Sequence, residues 1–260
     1  MQRVETITSA ANPLVKELRR AIGRGSLTED GLFIAESVHL LEEAIRSGCE
    51  IPVVLAAESA ASRVTAPVPR IAVLPDALFQ TITTTETSQG VIALVRPRKW
   101  TVDQVFALKS LVVVLDGIQD PGNAGAIVRA AEAFGATGAI FVKGTVGPQH
   151  PKTLRASAGS LFRLPYITGL DAPQVSTLLR KERVVIYAAM PYTGSEHLAE
   201  DMDLRRRCAL IIGGEGHGIG KELQDIADPI AIPTVGVESL NAAVAAAILL
   251  YETRRQRGSA

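Results

Sequence analysis

The hydrophobic positions of this chain change their period several times, and each change marks an element. Leu14, Leu18, Ala21 and Ile22 recur at helical spacing beside Lys16, Arg19, Arg20 and Arg24, which predicts a short amphipathic helix with a basic face. The apolar runs 32–35, 51–57, 71–74 and 90–95 read as strands. Residues 36–48 read as a helix with Val38, Leu41 and Ile45 on one face, stopped at Gly48. Strand–helix–strand order makes residues 1–96 a small α/β domain.

At 96–100 the composition turns abruptly to RPRKW, so a linker is expected over 97–109 and a second domain over 110–260. That domain opens with LVVVLD at 111–116. Further strands are expected at 138–142, 163–167, 184–190, 208–214 and 229–233. Helices are expected between them at 123–135, 151–160, 173–182 and 220–227, with a last one at 240–254. Continuous apolar strands alternating with helices predict a parallel sheet covered on both faces.

Composition narrows the class. The chain is 47% hydrophobic and only 4% aromatic, so its core must be built from Ala, Val, Ile and Leu, which suits α/β layers. Net charge is zero, so any nucleic-acid surface has to be a local basic patch. Cys49 and Cys208 lie far apart and read as reduced thiols, and the four scattered histidines give no metal-ligand spacing. The longest apolar stretch, Ala242–Tyr251, is too short for a membrane span and the N-terminus has no apolar leader, so a soluble, cytoplasmic protein without metal is expected.

Three segments can carry chemistry. In 115–136, a buried strand ends at Asp116 and a Pro–Gly turn leads to Asn123, placed as a helix N-cap. Arg129 falls roughly 200° round that helix from Ile127 and so leaves the core face. It is either a solvated surface residue or, because ligands of open α/β sheets bind past the strands' carboxyl ends, a functional one. In 211–223, five glycines in eight positions require a backbone approached closely by another segment or by a ligand. A P-loop is excluded there, since Glu215 and Glu222 stand where it needs glycine and Ser or Thr. Glu215 would repel a phosphate and suits a cationic partner, an arginine or a sulfonium. In 231–252, Ser239 is a plausible N-cap for an almost wholly apolar helix, and Asn241 needs a hydrogen-bond partner if buried.

Taken together, these segments closely resemble the three signature motifs of the SpoU (TrmH) branch of the SPOUT class of RNA methyltransferases. The matches are Asn123-x-Gly125-x-x-x-Arg129, then Gly213-Gly214-Glu215-x-x-Gly218-Ile219, then Ile232-Pro233-x-x-Gly236 followed by Ser239-Leu240-Asn241. The stretch 151–165 is similar to the family's sequence between the first two motifs. More weakly, 7–20 and 85–95 resemble the ribosomal-protein-like RNA-binding domain that precedes the catalytic domain in many members. Gly220 departs from the serine of many members.

The resemblance implies a parallel sheet whose C-terminal part is threaded into a deep trefoil knot, an exception to the rule that chains avoid knots. It implies S-adenosylmethionine as cofactor, held by Gly213, Gly214, Gly218, Ile232 and Leu240, and a homodimer whose active sites draw on both subunits. It implies methyl transfer to a ribose 2′-hydroxyl, with ribosomal RNA favoured over tRNA, and a catalytic set of Arg129, Asn123, Glu215, Ser239 and Asn241. An arginine keeps its proton in proteins, so Arg129 is expected to stabilise developing negative charge rather than act as base. Glu215 and Asn123 are expected to fix Arg129, while Ser239 and Asn241 position ribose and phosphate. For RNA, the candidate clusters are Lys16, Arg19, Arg20 and Arg24, and separately Lys152, Arg155 and Arg163.

Overall fold

The structure, a computed structural model, describes residues 3–65, 67–85, 87–193 and 197–258; Glu86, within the 85–95 piece noted above, lies outside them. In chain order the elements are β1 (Arg3–Thr6), α1 (Pro13–Arg24), β2 (Phe33–Glu36), α2 (Val38–Arg46), β3 (Val53–Ala57), β4 (Arg70–Leu74), α3 (Asp76–Gln80) and β5 (Val91–Val95). There follow α4 (Val102–Val105), β6 (Leu111–Asp116), α5 (Pro121–Ala133), β7 (Gly138–Phe141), α6 (Pro151–Ala156), β8 (Tyr166–Thr168) and α7 (Ala172–Lys181). The chain closes with β9 (Val185–Met190), β10 (His197–Leu198), β11 (Cys208–Gly213), α8 (Lys221–Gln224), β12 (Asp228–Ala231) and α9 (Ala242–Gly258).

Two compact units result, one of residues 1–99 with 148–163, the other of 100–147 with 164–260. The sequence expectation differs in two places: it took 97–109 as a linker, where residues from 100 on join the second unit with Val105 and Phe106 buried, and it left 148–163 with the second domain. The reason for 148–163 is a set of long-range pairs that leave no local pattern. Glu36, only 4% exposed, accepts hydrogen bonds from Thr84 N (2.9 Å), Thr85 Oγ1 (2.8 Å) and the Thr84 hydroxyl, and pairs with Arg155 at 3.5 Å. Arg163 pairs with Glu43, and Phe162 meets Phe33 edge-on. A buried carboxylate is tolerated only when satisfied this fully.

The first unit holds a five-stranded mixed sheet, β1-β4-β3-β5-β2. Helix α1 starts at Pro13 with Asn12 as N-cap and ends at Gly25, whose φ of +60° forms a left-handed C-cap. Its buried residues are Val15, Leu18 and Ala21.

The second unit holds seven strands in the order β10-β12-β9-β11-β6-β7-β8, with every pairing parallel. The central strands β6 and β11 are buried on both faces, as their unbroken apolar runs require. Their register sets Asp116 opposite Gly213, so the loops that leave the two strands start side by side. Those loops carry the first two motifs.

Two helix starts differ from expectation. Helix α5 begins at Pro121 with Asp120 as N-cap, its side chain accepting from Asn123 N at 2.7 Å. The Pro–Gly pair is thus the first turn of the helix, where proline's missing N–H costs nothing, and Asn123 is freed from capping. Helix α9 begins at Ala242 rather than after Ser239, because Asn241 Oδ1 accepts from Ala243 N (2.9 Å) and Val244 N (3.3 Å). Packed against α5, α9 still leaves Val244, Ile248 and Tyr251 exposed. Among the described residues no helix is long and apolar enough to cross a membrane.

Candidate active site

At the carboxyl ends of β6 and β11 two glycines are required by the close approach of backbone. A Cβ on Gly214 would lie 2.3 Å from Gly117 O, and one on Gly213 would lie 2.5 Å from the Gly218 carbonyl carbon. The close approach expected in this loop is therefore made by another segment of chain at Gly214 and by the loop's own returning backbone at Gly213. Gly218 has φ +63°, and its N–H returns to Gly214 O at 2.9 Å.

From this loop Glu215 meets residues of both other motifs. Its Oε1 accepts from Asn123 Nδ2 at 3.0 Å and from Asn241 Nδ2 at 2.9 Å, and Asn241 Nδ2 also reaches Asn123 Oδ1 at 3.1 Å. The three side chains come from α5, the β11 loop and the start of α9, and they close a triangle. Asn241 is held at both ends, since its carbonyl oxygen caps α9 and its amide must then face Glu215. Amide orientation here follows from the bonding network.

Beside the triangle lies a cleft of about 250 Å³, walled by Met190, Tyr192, Ile212, Ile230, Ile232, Leu240 and Leu249 and floored by Gly213, Gly214 and Gly218. Glu215, Glu238, Ser239 and Thr234 add polar side chains to the lining. Among the described residues no Lys, Arg or His lines it, so the charged side chains facing this space are both acidic. Met190, Tyr192 and Glu238 were missed by sequence reasoning. Met190 ends strand β9 and Tyr192 follows it, and that strand carries no motif, while Glu238 is adjacent to Ser239 and could have been found there.

Arg129 is exposed on α5 and has no hydrogen bond to Asn123 or Glu215 among the described residues. Six residues beyond Asn123, it sits roughly 240° round the helix, on a different side from Asn123. The expected Glu215–Arg129 tie is thus replaced by the amides of Asn123 and Asn241. In the first unit Lys16, Arg20 and Arg24 form one exposed ridge on α1 at four-residue spacing, although Arg20 also pairs with Glu29 at 3.0 Å. Arg19 donates to Thr81 Oγ1, and Arg155 and Arg163 are drawn to Glu36 and Glu43. Those three guanidiniums are less free for phosphate than the sequence suggested.

Comparison with known proteins agrees with this geometry. Residues 110–251, more than half of the chain, match the SpoU rRNA Methylase family, and residues 12–93 match the MRM3-like substrate binding domain. The chain is 30% identical to the 23S rRNA (guanosine(2553)-2′-O)-methyltransferase RlmP of Bacillus subtilis, over 96% of this chain and 100% of that one. An AdoMet-bound rRNA methyltransferase from Sinorhizobium meliloti superposes with a TM-score of 0.82 at 29% identity, covering 97% of this chain and 98% of that one. The SpoU methyltransferase AviRb from Streptomyces viridochromogenes, in complex with AdoMet, gives 0.81 at 26% identity, covering 96% and 100%. A cleft at the ends of β6 and β11, three motifs meeting at Glu215 and these matches along nearly the whole length agree: the chain belongs to the SpoU rRNA methylase family.

Proposed function

We propose that this protein transfers a methyl group from S-adenosylmethionine to a ribose 2′-hydroxyl of ribosomal RNA, and that it works as a homodimer. The observation that carries the reading is the meeting of Asn123, Glu215 and Asn241 beside a cleft whose charged side chains are acidic. Such a cleft fits a cofactor bearing a sulfonium and an ammonium, and disfavours a phosphate-bearing nucleotide. S-adenosylmethionine supplies a methyl group on positive sulfur, whose displacement needs no metal.

The chain's own residues have three tasks. Gly213, Gly214 and Gly218 present backbone groups to the cofactor, while Ile232 and Leu240 offer apolar walls to its adenosine. Ser239, in the cleft lining, and Asn241, beside it, orient ribose and phosphate so that the hydroxyl is held for in-line attack. Arg129 stabilises the oxygen as it gains negative charge, while its proton stays in place.

Since Arg129 points away from Asn123 on the same helix, it is assigned to the partner's site. An apolar strip on α5 and α9, with Val244, Ile248 and Tyr251 exposed and Ala126 and Ala247 half-buried, supports a dimer through these helices. RNA is held by local positive charge, with the α1 ridge of Lys16, Arg20 and Arg24 the best-exposed candidate. The knot implied by the motifs is proposed with this reading. Ribosomal RNA is favoured over tRNA because RlmP and the Sinorhizobium protein are described as acting on it and because 12–93 match a substrate-binding domain.

Calorimetric titration with S-adenosylmethionine and, separately, with NAD tests the cofactor assignment. Saturable binding of the first and none of the second is expected. The reverse would return the cleft to the nucleotide-binding enzymes of the same sheet class.

A further inference from the structure

The loop that presents Glu215 has little to hold it. Residues 215–218 are exposed, glycines occupy 214, 216 and 218, and the one deeply buried anchor is Ile219 at 3% exposure. Glycine-rich backbone loses the most freedom on ordering, so a loop like this needs explicit ties to keep one conformation. Both of its ends are tied to one residue. The backbone oxygen of Asp116 accepts from Gly214 N at 3.0 Å, and its carboxylate Oδ2 accepts from Gly220 N at 2.7 Å. The first bond continues the pairing of β6 with β11 and would survive any side chain at 116. The second depends on the carboxylate.

Resting on the methyltransferase reading, we propose that Asp116 is a positioning residue. Its side chain clamps the loop at Gly220, so that Glu215 stays within reach of Asn123 and Asn241 and Gly213 to Gly218 keep the shape of the cofactor floor. Asp116 does not line the cleft, and its effect on the reaction is transmitted through the loop. A charge-assisted bond to a backbone N–H is among the stronger neutral-donor hydrogen bonds, which suits a short clamp on an exposed segment.

Three variants test this in the full chain: Asp116→Leu, which keeps the branched shape without an acceptor; Asp116→Asn, which keeps an acceptor oxygen without charge; and Glu215→Gln. Affinity for S-adenosylmethionine and the kcat against KM of methyl transfer are measured for each, and for the Asp116→Leu/Glu215→Gln pair. Leucine is expected to weaken cofactor binding on the order of tenfold and to lower kcat, with asparagine recovering most of both. In the Glu215→Gln background the kcat loss from leucine should largely vanish, because the two residues act on one element. A purely structural role would lower the unfolding temperature yet leave the two substitutions additive. If Asp116→Leu does not fold, exchange of the Gly220 amide in Asp116→Asn and wild type replaces it, and an unprotected amide in wild type overturns the clamp. Wild-type-like binding and turnover by Asp116→Leu, or strict additivity, would also overturn it. Failure of the wild-type protein itself to bind S-adenosylmethionine would instead refute the methyltransferase reading.

Discussion

Asn241 donates its side-chain amide to Glu215 across 2.9 Å while its carbonyl oxygen caps α9, so one side chain serves a helix and a site together. This makes aspartate the informative replacement. Asp caps helices as well as Asn does, so α9 should keep its start. In the site, however, Asn241→Asp sets a carboxylate against a carboxylate where a donor is needed. We expect near-wild-type helicity and a fall in kcat on the order of tenfold to a hundredfold, from roughly 1.4–2.7 kcal/mol of lost organisation. Circular dichroism with single-turnover methylation reads both. Equal loss of helicity and activity would show that capping alone matters.

A composite site predicts complementation. Arg129→Ala and Asn241→Asp homodimers should each be nearly inactive. Unfolded together and refolded as a mixture, they pair at random, and each mixed dimer rebuilds one site from an intact Arg129 and an intact Asn241. About a quarter of wild-type activity should return. No recovery would place Arg129 in the site of its own subunit, or outside catalysis. Arg129→Lys is expected to recover little, because a planar guanidinium presents a fork of donors that an ammonium lacks.

The acidic lining predicts discrimination between cofactor and product. Methyl transfer removes the positive charge on sulfur, and Glu238, which has no ion-pair partner among the described residues, lines the same cleft. Glu238→Gln should weaken S-adenosylmethionine binding roughly three- to tenfold and leave S-adenosylhomocysteine within about twofold. Calorimetry with both ligands decides. An equal change for the two would mean that the carboxylate contacts the part they share.

In the first unit, His150 is the N-cap of α6, with Nδ1 accepting from Lys152 N at 3.1 Å. Burial, with the nearby charges of Lys152 and Arg155, holds its pKa below the ordinary value of 6.5. The unfolded chain therefore binds the proton more readily than the folded one, and stability rises with pH through this window. The contribution is fully present above about pH 6.5 and is lost as pH falls through the depressed value. Protection of the Lys152 amide against exchange, followed from about pH 8 to 5, should decline in acid. His150→Asn, which caps without titrating, should abolish the decline.

Much of this was legible in the chain because local rules and global fold agreed. Strands such as 111–116 and 208–213 are buried on both faces and so read as continuous apolar runs. The short edge strands 3–6 and 197–198 were not found, since so few residues show no period. Asn123 and Ser239 were read as caps because each precedes an apolar stripe. Asp120 and Asn241 hold those places instead, one because Pro121 is suited to a first helical turn and the other because its carbonyl reaches two amides. Asn123, Glu215 and Asn241 could be named as candidates from the motifs, but their mutual partners could not be. Which side chain Glu215 meets depends on how residues 92 and 26 positions away are brought to it, and no spacing encodes that.

The central claim is tested most directly by methyl transfer from labelled S-adenosylmethionine into ribosomal RNA and tRNA isolated from a strain lacking this gene, followed by digestion to nucleosides. Label in a single 2′-O-methylnucleoside of ribosomal RNA, lost with Asn241→Asp, is the predicted result. Label on a base, label confined to tRNA, or none in either RNA despite cofactor binding would contradict it.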